Sequence, residues 1–257
     1  MTPCESSDQK DILTVKKSVS VVAVATLVAL ALAGCSAGST SGTASTAPQQ
    51  GSGGSTQTYT ADDLVKILQT AEKTIGTGKI SDNATVQANI KSAGNLKPSA
   101  SLTADGGKIV PASCGTTLDN AIITDSKGFG VGSSGIAAEL NYGKGILAVF
   151  SSTNGSLSSG LANTLTTSLQ QLYSACSNMQ IVDGSTSLDM TITKFAAHTD
   201  AAQTFAFDET ITISGTSTPT PVIEALDGNI FIADTGIGGT NADAVAAINA
   251  VVAAAKG

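Results

Sequence analysis

Val222-Ile223-Glu224-Ala225-Leu226 and Ile230-Phe231-Ile232-Ala233 flank the dipeptide Asp227-Gly228. Two short apolar runs on either side of Asp-Gly are the signature of a tight type I′ hairpin, whose central residues need positive φ. The same period of two extends outward. Leu188, Met190 and Ile192 alternate with Asp189, Thr191 and Thr193, which predicts a half-buried strand. Phe205, Phe207, Ile211 and Ile213 share the inner face of the next strand, and Gly135 to Tyr142 with Gly145 to Ser152 predicts a strand pair turning near Gly143-Lys144.

Helical spacing frames these strands. Thr60-Ala61-Asp62-Asp63 has the form of a capping box, followed by Leu64, Ile67, Leu68, Ala71 and Ile75, with Gly76 as the stop. Ser81 to Ala93 predicts a second helix with Val86 and Ile90 inward. Gly94 to Ile109 is irregular and reads as a loop with room for a short strand, and Pro111 suits the first turn of a short helix through Ile122. Ser156 to Cys176 carries Leu157, Leu161, Leu165, Leu169 and Leu172 on one face. Thr240-Asn241-Ala242-Asp243 caps a last helix with Val245, Ile248 and Val252 inward. Hairpins dominated by antiparallel strands, with packed N-terminal, central and C-terminal helices, make the expected fold class α+β.

The first 34 residues have a different character. Lys16 and Lys17 precede an apolar run from Val21 to Leu32, and Ala33-Gly34 leads into Cys35. That is the layout of a cleaved secretory signal, and the run is too short to span a bilayer as a helix. Leu32-Ala33-Gly34-Cys35 resembles the lipobox of bacterial lipoproteins cut by the type II signal peptidase. The resemblance implies a diacylglyceryl thioether on Cys35 and a mature chain that begins there; two acyl chains suffice for stable anchoring. A plain signal peptide with an incidental Cys35 is the alternative. Glu5, Asp8 and Asp11 are out of place in a basic n-region, so Val15 is the expected true start. Residues 35–59 are rich in Ser, Thr, Gly and Ala, and read as a lipidated flexible linker; Ser36 to Thr58 alone reaches roughly 25 Å. Residues 60–257 then form a single extracytoplasmic domain.

Composition narrows what that domain does. All thirteen basic residues are Lys, Trp is absent, and the net charge is −7. Without Arg or a basic footprint, nucleic acid is excluded as a partner, and phosphate recognition is disfavoured. Anionic headgroups repel such a body, so attachment to a membrane rests on lipid at Cys35. Beyond the leader and Cys35, the cysteines are Cys114 and Cys176. In an exported protein an even pair reads as a disulfide, with two buried free thiols as the alternative. One histidine and no Cys-x-x-Cys leave no zinc site, and no other metal or cofactor is expected.

Catalytic motifs are few. Asp234-Thr235-Gly236 copies the aspartic-protease triplet, but that chemistry needs a second carboxylate and no second triplet occurs; a polar strand end before the helix cap is the simpler reading. Gly236-x-Gly238 lacks the following strand of a dinucleotide fold. His198 sits in a polar turn, Ala197-His198-Thr199-Asp200. The only Gly-x-Ser-x-Gly, Gly34 to Gly38, straddles the cleavage site, and the only Ser-x-x-Lys, Ser7 to Lys10, lies in the leader. Glu209 stands out: strict alternation puts it on the face of Phe205, Phe207, Ile211 and Ile213. Either it lines a ligand pocket, or a bulge at Asp208-Glu209 returns it to solvent. The bulge is the simpler expectation.

Pro111 shortly before Cys114, a strand pair, a long helix ending Leu172-x-x-x-Cys176, and Gly228-Asn229 leading into an apolar strand together define a layout. From Ala61 to Gly257 it resembles the extracellular sensor domain of PknH-type mycobacterial kinases and the actinobacterial lipoproteins that share it. Members of that family commonly carry two disulfides, where this chain has one pair available. The resemblance implies a cleft-bearing domain that binds a small-molecule or envelope-protein ligand and is not an enzyme. The expected location is the extracytoplasmic face of the cell membrane. A lipid-tethered envelope hydrolase using His198 or Asp234, and a transporter's solute-binding lipoprotein, are the alternatives.

Overall fold

The computed structural model describes residues 57–94, 108–115, 117, 135–153, 171, 174–183, 186–213 and 215–257. The leader, Cys35, most of the linker, half of the helix expected at Pro111 to Ile122 and most of the one expected at Ser156 to Cys176 lie outside the described residues.

In chain order the elements are α1 (Ala61–Ile75), β1 (Lys79–Ser81), α2 (Asn83–Gly94), β2 (Lys108–Val110), β3 (Gly135–Asn141), β4 (Ile146–Ser152), β5 (Asn178–Asp183), β6 (Thr186–Lys194), β7 (Gln203–Ile213), β8 (Thr216–Asp227), β9 (Ile230–Thr235) and α3 (Asn241–Lys256). The strands among the described residues form one sheet in the order β1-β3-β4-β9-β8-β7-β6-β5-β2, with every pairing antiparallel. The fold class is α+β, as the alternation predicts.

Both faces of the sheet are apolar, and period two sorts them. Ile136, Ala138, Leu140, Leu147, Val149, Ile223, Ala225, Ile230 and Ile232 pack with Leu64 and Leu68 of α1 and Ala247, Ile248 and Val251 of α3. On the opposite face Ala148, Phe150, Ile192, Phe207, Ile211, Val222, Phe231 and Ala233 pack with Val86 of α2 and with Cys114 and Cys176. Those two cysteines form a disulfide with a Cα–Cα separation of 5.3 Å, joining the turn after β2 to the approach to β5.

Two capping boxes fix where the paired helices begin. The Asp63 N–H donates to Thr60 Oγ1 at 3.2 Å, and the Thr60 N–H donates to Asp63 Oδ2 at 3.0 Å. Thr240 and Asp243 repeat the arrangement at 3.2 and 3.0 Å at the start of α3. Each box satisfies donors that the first helical turn otherwise leaves open. Asp82 performs part of this work for α2, accepting from the Thr85 N–H at 3.0 Å.

The β8–β9 turn differs from the expected one by a residue. Asp227 pairs with Ile230, so the two-residue loop is Gly228-Asn229, with Gly228 at φ +61°. Tertiary bonds select this register. The buried Asn229 amide donates to the Ser152 carbonyl at 3.0 Å and the Gln57 carbonyl at 3.2 Å, while its own carbonyl accepts from Ser151 Oγ at 2.6 Å. Asp227, displaced outward, pairs with Lys256 at 3.2 Å.

Strand β8 is also longer than the apolar run suggests, beginning at Thr216 despite Pro219 and Pro221. β9 ends at Thr235 opposite Val222, so residues 216–221 pair only with β7. The Gly236 N–H reaches the Pro221 carbonyl at 2.8 Å, which turns the backbone groups of residue 221, and by alternation of 219, toward the side β9 has left. Proline removes a donor there that no strand needs.

Candidate functional site

The alternation that builds the sheet carries three glutamates onto one face. Glu209 stands on β7 between Phe207 and Ile211, opposite Ile192 of β6 and Thr220 of β8. Glu224 stands on β8 between Val222 and Leu226, opposite Phe205 of β7 and Ala233 of β9. Ala233 opposes Ala148 of β4, which opposes Glu139 of β3. One row across the sheet therefore reads Glu139, Ala148, Ala233, Glu224, Phe205. The row beside it contains Phe150 and Phe231, whose ring centroids lie 5.9 Å apart. Two alanines thus separate the two acids along the row, and they and the neighbouring phenyl rings are buried in the core on this face.

The bulge expected at Asp208-Glu209 does not form. Register runs unbroken from Lys194 opposite Phe207 to Asp189 opposite Thr212, and β8 pins the same residues from the other side. Glu209 is held inward at 2% exposure and Glu224 at 0%. Among the described residues neither oxygen of Glu224 has a hydrogen-bond partner, and Oε2 of Glu209 has none. An ionised carboxylate without a partner is costly in such surroundings, so both groups hold their protons. Burial pushes Glu209 up to about 8. Glu224 is raised well above the usual carboxylate range, by burial first and then by the neighbouring Glu209. Glu139, half-buried, is raised by burial as well.

A fourth buried acid lies on the other face. Asp234, a polar strand end by its sequence, is fully buried in β9 beneath the helices. The Tyr142 hydroxyl donates to its two oxygens at 3.0 and 3.1 Å. Burial pushes Asp234 up to about 8, opposed in part by that hydrogen bond. With Tyr142 as its partner and the sheet between it and the glutamates, Asp234 is not the half of a carboxylate dyad that protease chemistry requires.

Glu224 and Asp234 were legible by the same alternation that marks Glu209. Glu224 alternates in phase with Val222 and Leu226, and Asp234 with Ile230 and Ile232. A single acid inside an apolar strand run is easily absorbed into the run. His198 is exposed in the segment between β6 and β7. Among the described residues no group of three or more His, Cys, Asp or Glu side chains could hold a metal ion. No helix among them is long and apolar enough to cross a membrane.

No family model matches this chain, and no curated protein matches it. Among solved structures, an uncharacterized protein from Mycobacterium smegmatis is similar at a TM-score of 0.34 and 15% identity, over 60% of this chain and 78% of that one. The extracellular domain of PknH from Mycobacterium tuberculosis is similar at a TM-score of 0.43 and 10% identity, over 79% of this chain and 100% of that one.

Proposed function

We propose that this chain is a lipid-anchored protein of the extracytoplasmic face of the cell membrane. Its sheet domain binds a small ligand on the face that carries Glu139, Glu209 and Glu224, and its role is binding, not catalysis. The observation that carries the ligand site is Glu224: a fully buried carboxyl with neither oxygen hydrogen-bonded among the described residues. Buried polar groups without partners are rare in folded proteins and concentrate where a ligand completes the bonding. The anchor rests on Leu32 to Cys35, and the Cys114–Cys176 disulfide suits an exported domain.

A small-molecule library screened by thermal shift at pH 7 tests the site. Ligands that stabilise the wild-type protein and leave Glu224→Gln unshifted support it, whereas ligands that act equally on both proteins refute it. Mass spectrometry of the N-terminal peptide tests the anchor. A diacylated Cys35 is expected, and a free thiol there overturns the lipid attachment.

A further inference from the structure

Resting on the binding reading for what it serves, we propose that Glu209 and Glu224 form a proton-operated latch on the sheet face they share. Protonated, the pair lets this face close. Ionised, it loosens the core on this face while the core beneath α1 and α3 stays packed. A ligand reaches the site proposed above through the loosened form.

The β7–β8 ladder supplies the geometry. On this face Phe207 stands opposite Val222, and the two glutamates flank that pair, Glu209 on one side along β7 and Glu224 on the other along β8. Phe207 and Val222 are fully buried, and Ala148, Phe150, Phe231 and Ala233 continue the same packed cluster. The face is therefore closed around the two acids.

Few groups can answer a carboxylate there. β3 contributes Glu139, a third acid, and β6 contributes Lys194, opposite Phe207 and exposed at the rim. β2, β4, β5, β9 and α2 carry no charged side chain at their described inward positions. With protons on, both glutamates are neutral and the apolar core closes over them. With protons off, two like charges stand in that core, and no donor among the described residues answers Glu224. Admitting water then costs less than keeping the face dry. Burial raises both carboxyls, so the closed form persists up to the range of Glu209, about 8, and is lost as pH rises through it.

The opposite face treats its own acid differently. The Tyr142 hydroxyl lies 3.0 and 3.1 Å from the oxygens of Asp234, and its hydrogen bond favours the ionised form. Loss of that proton leaves α1 and α3 in place. One sheet thus carries a core that withstands alkali and a core that yields to it, and a folded domain can open one part without unfolding the rest. The Cys114–Cys176 disulfide, fully buried in the yielding core, reports the opening.

The test is the rate at which a water-soluble phosphine reduces that disulfide in the intact chain in detergent, at pH 6 and pH 9. Backbone hydrogen exchange is recorded in parallel and corrected for its intrinsic pH dependence. Reduction of the wild-type protein should be at least tenfold faster at pH 9 than at pH 6. The double variant Glu209→Gln/Glu224→Gln should change no more than twofold, which also controls for the reagent's own response to pH. At pH 9 the wild-type β7 and β8 should lose protection while α1 and α3 keep theirs. Equal acceleration in both proteins, or loss of protection in α1 and α3 together with β7, overturns the latch. Should the double variant not fold, the wild-type exchange pattern decides alone. If the face opens but the library yields no Glu224-dependent ligand, the latch stands and the binding reading falls. If such a ligand is found and the face does not open, the latch alone falls.

Discussion

The hydroxyl of Tyr142, which follows β3, lies 3.0 and 3.1 Å from the two carboxyl oxygens of Asp234 in β9, and both residues are buried. This contact fastens the β3–β4 turn to the last strand. Tyr142→Phe leaves a buried acid without its donor, and should cost about 1–3 kcal/mol. The loss should be larger at pH 9 than at pH 6, because the hydrogen bond favours the ionised form of Asp234, whose pKa is about 8. Urea unfolding at the two pH values measures the difference; equal losses would show that ionisation plays no part.

The buried glutamates set the pH dependence of folding on the alkaline side. Glu209 rises from its ordinary value of 4.5 to about 8 in the fold, and Glu224 is raised well above the ordinary value by burial and by Glu209. Between these limits the folded chain binds more protons than the unfolded chain, so stability falls as pH increases from about 5 toward 8 and beyond. Glu209→Gln and Glu224→Gln should each raise the thermal midpoint at pH 8 and change it little at pH 5. Thermal melts from pH 5 to 9 check this, and a flat wild-type profile would contradict it.

Below pH 4 the sign reverses. Asp243 is held down to about 2 by hydrogen bonds from Lys144 and Thr240, and Asp63 and Asp82 are lowered by their own capping bonds. The stability these groups supply is complete above the ordinary carboxylate range and is lost as pH falls through their folded values. Lys144→Met should therefore lower the melting midpoint slightly at pH 6 and by less at pH 2, where Asp243 is already partly protonated. Melting curves at low ionic strength would resolve the change.

Loss of either cap should be felt separately. Thr60→Ala and Thr240→Ala each remove an N-cap acceptor, at about 1 kcal/mol apiece, and the two should add because they serve different helices. A double-mutant cycle in urea measures the sum.

Cys114 and Cys176 enclose 62 residues of sequence separation. Replacing both with Ser should destabilise the domain by up to ~4 kcal/mol, since the unfolded chain regains the freedom of that loop. Reduction of the wild-type protein should reproduce the same shift in denaturant midpoint.

Strong local patterns made much of the architecture readable. Thr60 with Asp63, and Thr240 with Asp243, announce helices α1 and α3 because capping is a contact between near neighbours. The β3–β4 and β8–β9 hairpins follow from apolar alternation around turn residues. Strands β1 and β2, three residues each, are too short to show a period, and β5 offers only Met179 and Ile181 as inward apolar positions. Their existence depends on partners distant in sequence. The same holds for the β8–β9 register, which Ser151, Ser152 and Gln57 decide through Asn229. The inward setting of Glu209 was visible in its phase, but its retention there depends on unbroken pairing with β6 and β8. No local signal reports that.

The Gln57 carbonyl rests on Asn229, and Lys256 rests on Asp227, so the two ends of the described domain flank one short turn. A reporter group fused after Gly257 would therefore sit beside the point where residues 1–56 join the domain. A short peptide bridging the two ends would permit the chain to be reopened elsewhere as a circular permutant. The turns holding Gly143 and Gly215 lie at the opposite end of the sheet from Gln57 and Gly257.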